Sequence, residues 1–232
     1  MLLTTTTAHT GISLAGTSGL INIPTAEVIR DQQVMVGFGI VNRHGAYLQT
    51  HRCDNFPFYI VIGYLPRLEF SAGVTFVPGQ QSYDGSNTYK DGVVSVQYVL
   101  VEERPLFPAI ALGARDIYSF ILLNTTYIVA SKNIVRQSNT RVRFHAGYGS
   151  DVIDRHLGVP KSDRGYPVGH TILGVFGGME INWKDCIVYM LEYDTRFVST
   201  GVRFRLNPFL HFDFHLLNME HASGSLNLSF RL

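Results

Sequence analysis

Residues 225–232 read Ser225-Leu226-Asn227-Leu228-Ser229-Phe230-Arg231-Leu232. Successive side chains of a strand point to opposite faces. Leu226, Leu228, Phe230 and Leu232 therefore share one face, and Asn227, Ser229 and Arg231 the other. The same two-residue period recurs back along the chain, at residues 34–41, 58–64, 68–76, 93–101, 109–116, 120–131, 141–149, 172–183, 187–194, 198–206 and 210–216. Turn signals separate these segments, so the pattern predicts an all-β fold of twelve strands. Their lengths suit the ~9–11 residues of a tilted membrane strand.

Alternation alone does not say which face is wet. The connections do. Those at 42–55, 78–92 and 150–169 are long, polar and glycine-rich, and each follows an odd-numbered strand. Those at 65–67, 183–185 and 207–208 are tight and follow even-numbered strands. Outer-membrane barrels alternate short periplasmic turns with longer external loops in this way. The expectation is a single closed antiparallel transmembrane β-barrel over residues 32–232, with apolar side chains facing outer-membrane lipid. The rival is a water-soluble barrel with the apolar face inside. Its open surface would be rich in Lys and Glu, whereas Lys occurs here only at Lys90, Lys132, Lys161 and Lys184, all in expected turns or loops.

Composition narrows the class further. A net charge of +1 argues against a nucleic-acid footprint. No apolar run reaches the ~18 residues of a membrane helix, so a membrane reading requires a barrel. Met1 to Gly16 lack the basic region of a secretory leader, so the numbering is expected to start on a mature or trimmed chain. Cys53 maps to an outer loop and Cys186 beside an inner turn, too far apart to bridge, so both are expected as free thiols. Eleven aromatic residues near strand ends suit two interfacial girdles: Phe56, Phe58, Tyr64, Phe76, Tyr98, Phe107, Tyr148, Trp183, Tyr193, Phe197 and Phe209.

Residues 1–31 form an extended N-terminal segment in which 25–33 have room for one helical turn. Glycines at Gly37, Gly39, Gly63, Gly73, Gly113, Gly147, Gly174, Gly178 and Gly201 fall mostly on polar faces and leave space inside the barrel. We therefore expect residues 11–30 to fold into or beneath the lumen as a partial plug.

The polar faces collect a candidate ion-pair cluster: Glu69, Arg115, Arg141, Arg143, His145, Glu180, Glu192, Asp194, Arg203, Arg205, His211, Asp213, His215 and Arg231. In a closed barrel these side chains meet in one lumen. Guanidinium forks suit fixed pairs with carboxylates, so a structural network is the main expectation, with a solute or glycan path as the alternative. His211, Asp213 and His215 lie on one face, but same-face neighbours are ~7 Å apart, too wide for easy chelation by all three. No metal or other cofactor is expected. An outer-membrane hydrolase would need an activated nucleophile, and Gly16-Thr17-Ser18-Gly19 is not a G-x-S-x-G elbow. No catalytic residues are assigned.

Several stretches resemble the YjbH-like family of bacterial outer-membrane β-barrel proteins, associated with exopolysaccharide production and export. They are residues 16–28 (GTSGLINIPTAEV), 63–79 (GYLPRLEFSAGVTFVPG), 108–117 (PAIALGARDI), 191–206 (LEYDTRFVSTGVRFRL) and 216–232 (LLNMEHASGSLNLSFRL). Many members of that family carry more than one barrel-like region, whereas this chain has room for one. The resemblance implies a non-enzymatic outer-membrane component of exopolysaccharide secretion, acting as conduit or docking platform. Its partners would be periplasmic export proteins, other envelope-complex subunits or glycan. A structural barrel within a larger envelope assembly, and the hydrolase, are the alternatives.

Overall fold

The computed structural model describes residues 11–46, 53–80, 85–117, 124–137, 139–151 and 172–232. Twelve strands follow in order: β1 (Gln33–Ile40), β2 (Phe56–Leu65), β3 (Leu68–Pro78), β4 (Thr88–Val101), β5 (Ala109–Arg115), β6 (Thr125–Arg136), β7 (Thr140–Ser150), β8 (Gly174–Trp183), β9 (Ile187–Tyr193), β10 (Val198–Asn207), β11 (Leu210–Leu217) and β12 (His221–Arg231). Each pairs antiparallel with its sequence neighbours, and β1 pairs with β12 from Gln33↔Arg231 to Ile40↔Gly224, which closes the barrel. Closure leaves no free sheet edge.

The two faces sort as the alternation predicts. On β12, Ser223, Ser225, Asn227 and Ser229 are buried inside, whereas Leu226, Leu228 and Phe230 are exposed outside. Outward residues elsewhere are also large and apolar, among them Phe58, Ile60, Phe70, Leu112, Ile128, Phe144, Leu191, Phe212 and Phe214. A monomer in water rarely exposes so continuous an apolar surface. Among the described residues no helix is long and apolar enough to cross a membrane, which says nothing about strands.

Four local expectations need correction. The sixth strand occupies Thr125–Arg136 rather than 120–131, because it continues through the polar run Ser131-Lys132-Asn133 by way of a bulge between Asn133 and Val135. Phe120 lies outside the described residues. Lys90 and Lys132 lie in β4 and β6 rather than in loops. Lys132 is held there by the carbonyls of Arg104 and Pro105, at 2.5 and 2.9 Å. Residues 25–33 form no helical turn, since the N–H groups of Ala26 and Ile29 bond to Ser131 and Glu69 on the barrel wall.

The long connections follow β1, β3 and β7, at what we term the loop end. Parts of them (47–52, 81–84 and 152–171, including Lys161) lie outside the described residues. The opposite end, the turn end, carries the tight connections and one longer one at 102–108 between β4 and β5. Cys53 and Cys186 are free thiols, at the loop end and turn end respectively.

Candidate functional site: the occupied lumen

Residues 11–30 lie inside the barrel. Ile12, Leu14, Leu20, Ile21, Ile23, Ala26 and Ile29 are each at most 3% exposed. Hydrogen bonds join the segment to β3, β4, β5, β6, β9 and β10. A segment bonded to so many strands of a closed barrel can only be within it. It folds compactly: Ser13 N–H donates to the Thr17 carbonyl (2.8 Å) and Leu14 N–H to that of Ile21 (2.8 Å). Gly16 makes the reversal with φ of +75°, a backbone state that disfavours side chains.

The wall supplies partners that backbone groups in a dry interior require. Glu192 of β9 accepts the N–H groups of Ile21 (3.0 Å), Asn22 (2.8 Å) and Ile23 (3.3 Å). Glu69 of β3 accepts from Ser18 N–H (2.8 Å), from the Ser18 hydroxyl, and from Ile29 N–H (3.0 Å). Arg115 of β5 donates to the Asn22 carbonyl (2.7 Å) and the Thr17 hydroxyl (2.7 Å). Arg203 of β10 donates to the carbonyls of Ile12 (3.2 Å) and Leu20 (3.3 Å) while its Nε bonds Asp213 of β11. Wall carboxylates thus meet backbone donors and wall guanidinium groups meet backbone carbonyls. Such charge-assisted bonds are about twice as strong as neutral ones.

Apolar packing fills the remaining space. Leu14, Leu20, Ile21 and Ile23 join Val99, Ala111, Tyr127, Val129, Phe176, Val188 and Met190 of the wall in one buried cluster. Wall glycines make that packing possible. A Cβ on Gly113 would lie 2.3 Å from the Tyr127 ring, and one on Gly178 would lie 2.8 Å from Leu20 Cδ1. The interior is therefore a mixed apolar and polar core, and not a lumen lined only by polar groups.

The sequence-derived cluster divides by depth. Glu69, Arg115, Glu192 and Arg203 bond the segment directly, and Asp213 holds Arg203. Asp194 sits just past β9 and reaches the Asn22 side chain at 3.4 Å. Arg143 pairs with Glu27 of the segment and with Glu103 of the β4–β5 connection (3.3 Å). His145 Nδ1 lies 2.7 Å from the Ser131 hydroxyl, which accepts Ala26 N–H. Glu180 stands opposite Arg143 in register, and Arg205 opposite His211. His211 and His215 are buried, with His215 Nε2 4.0 Å from Asp213.

Two members do not join the interior. Arg141 pairs with Asp185 at the turn end, and Arg231 is exposed there. Both lie on inward faces, but Arg141 is the second residue of β7 and Arg231 the last of β12, so they project beyond the packed layer. Arg231 instead lines a cavity of about 310 Å³ at the turn end, with Ile29, Arg30, Asp31, Phe209 and His211. Among the described residues no group of three or more His, Cys, Asp and Glu side chains could hold a metal.

Sequence reasoning missed Gln97, Tyr59, Tyr127 and Ser131. Gln97 donates to the Thr25 carbonyl (2.9 Å) and accepts the Tyr127 hydroxyl (2.6 Å), and Tyr59 donates to Asn227 (2.7 Å). Their signal was available: each occupies an inward position of its strand. A search confined to charged groups passes over them.

The architecture defines a class, a closed β-barrel with an apolar exterior and a lumen filled by its own N-terminal segment. The sequence matches the YjbH family model, described as "Exopolysaccharide biosynthesis protein YbjH", over residues 12–196. The chain belongs to that family. It is also 29% identical over 122 residues to the uncharacterized lipoprotein YjbH of Escherichia coli (strain K12), a match covering 50% of this chain and 16% of that protein. The family match starts at Ile12 and runs through β9, so it includes the lumen segment from Ile12 and its partners Glu69, Gln97, Arg115, Ser131 and Glu192, whereas Arg203 and Asp213 lie beyond it.

Proposed function

We propose that the barrel spans the bacterial outer membrane and serves exopolysaccharide secretion, without catalysis of its own, as a closed docking platform. The occupied lumen carries the reading. Residues 11–30 lie in the interior and are bonded to six strands, so they occupy space that a chain of sugars would need in order to pass. The apolar exterior supports the membrane placement, and exposed aromatic residues at both ends support it further: Tyr64, Phe107, Trp183 and Phe209 at the turn end, Phe58, Tyr148 and Tyr193 at the loop end. The turn-end cavity, with Arg30, Arg231 and Phe209 at its edge, suits a periplasmic partner or an acidic glycan segment.

A conduit is the second reading. It draws on the mainly non-covalent, polar attachment of the segment, which displacement could undo. The test is surface polysaccharide in a strain lacking the gene, complemented with wild type or with Arg30→Glu plus Arg231→Glu. Loss on deletion, restoration by wild type and failure of the rim variant at normal barrel levels would support the platform. Unchanged polysaccharide on deletion would detach the chain from this process.

A further inference from the structure

Three elements meet around the turn-end cavity of about 310 Å³: the exit of the lumen segment, the β10–β11 turn and the end of β12. Backbone bonds fix this frame. Gln32 N–H donates to the Gly63 carbonyl (3.0 Å), Leu232 N–H to the Gln32 carbonyl (2.7 Å) and Ser229 N–H to the Phe209 carbonyl (2.7 Å). The Asn207 side chain accepts the N–H groups of Phe209 (2.8 Å) and Leu210 (2.9 Å). Gly63 is required beside the exit turn, because a Cβ there would collide with the Arg30 carbonyl. Gln33 and Ser229 line the cavity from β1 and β12, and the Gln33 amide donates to the Ser229 hydroxyl (2.6 Å).

The frame leaves side chains for a ligand. Arg30 and Arg231 line the cavity and are exposed, and among the described residues neither forms an ion pair. The acid of the lining, Asp31, is exposed on the same turn as Arg30. Phe209 presents a ring that is 61% exposed. Guanidinium forks match carboxylates in plane, and the electron-rich face of an aromatic ring takes the C–H face of a pyranose. The volume lies at the lower end of small-ligand cavities, about 300 to about 1,000 Å³, and suits roughly one or two sugar units. An acidic peptide fits less well. Peptides gain affinity through main-chain bonds, and the rim N–H groups of Gln32, Phe209, Leu210, Ser229 and Leu232 are already taken. A bilayer headgroup fits less well too, because His211 and Ser229 line the cavity from inward positions of β11 and β12, and Ile29 from the lumen segment.

We propose that this cavity binds a carboxylate-bearing sugar unit, a uronic acid of an acidic polysaccharide, with Arg30 and Arg231 on the carboxylate and Phe209 against the ring. The ligand class rests on the docking-platform reading, but the test needs only the barrel. It uses the full chain in a polyoxyethylene detergent, whose head groups carry no sugar, and titrates it calorimetrically with trigalacturonate. Wild type should bind trigalacturonate about tenfold more tightly than its methyl ester, maltotriose or triglutamate. That comparison needs no variant. Arg231→Gln and Phe209→Ala should each weaken binding several-fold. Lys184→Gln, which removes an exposed charge from the β8–β9 turn outside the cavity, should leave it unchanged. Absence of binding, equal binding of the methyl ester or of triglutamate, or equal loss in Lys184→Gln would each overturn the site. Displacement by phosphatidylglycerol in the same micelle would assign the cavity to a lipid headgroup and overturn it as well. Polysaccharide lost on deletion beside absent binding would remove the site and leave the platform, whereas intact binding beside unchanged polysaccharide would uphold the site and remove the platform.

Discussion

Arg203 and Asp213 face each other across the β10–β11 pair, with the guanidinium Nε 2.9 and 3.0 Å from the two carboxylate oxygens and both side chains at most 1% exposed. The same guanidinium donates to the carbonyls of Ile12 and Leu20. One ion pair thus joins two neighbouring strands to the segment that fills the barrel. A Cβ on Gly11 would collide with this guanidinium, at 1.3 Å from Nη1, so the segment passes the pair with no room for a side chain.

Removing one partner of this pair should cost more than removing both. Asp213→Ala leaves a buried guanidinium unanswered, and breaking a buried pair costs about 3–5 kcal/mol. Arg203→Met combined with Asp213→Leu replaces the pair with apolar volume and should recover more than half of that loss. Denaturant unfolding of the two variants in the same micelle checks the order. A double variant no more stable than Asp213→Ala would contradict it.

The lumen segment should act as a plug. Deleting residues 11–30 should raise conductance in a planar bilayer, and Glu69→Ala with Glu192→Ala should do so in part, because five backbone N–H groups bond to these two carboxylates in the native barrel (two at Glu69 and three at Glu192). Equal conductance in wild type and deletion would mean that the rest of the barrel is closed by other means.

Charge on the outer face should be costly if that face meets lipid. Phe70 and Phe212 are 42% and 43% exposed and point outward from β3 and β11. Phe70→Arg or Phe212→Arg should destabilise the barrel in lipid by about 2–4 kcal/mol near the midplane. Equilibrium unfolding in vesicles measures this, and unchanged stability of both variants would oppose the membrane placement.

The two cysteines report sidedness. Cys53 lies at the loop end and Cys186 at the turn end, both as free thiols. An impermeant maleimide should label Cys53 on intact cells and Cys186 only after the envelope is opened. Labelling of Cys186 first would invert the barrel.

The strand set and its faces were legible from short stretches. On β12 the inward Ser225, Asn227 and Ser229 and the outward Leu226, Leu228 and Phe230 follow from the two-residue period alone. The same reasoning placed twelve of the fourteen charged or titratable candidates inside or at the inner edge of the wall, and misplaced Arg141 and Arg231 because a period says which way a residue points but not how deep it lies. The shift of β6 has a similar origin. Ser131-Lys132-Asn133 resembles a strand end until the carbonyls of Arg104 and Pro105 supply the partners for Lys132.

The sequence by itself determined that this chain makes twelve amphipathic strands, because a strand's alternation is a property of consecutive residues. Its resemblance to the YjbH-like family likewise rests on local stretches. Only the tertiary structure decided what the inward faces meet. Ile21 bonds Glu192 across 171 residues of chain, and Ser18 bonds Glu69 across 51. Such partners are chosen by closure of the barrel around the segment, where each backbone donor or acceptor taken out of water has to find a counterpart on whichever strand comes within reach.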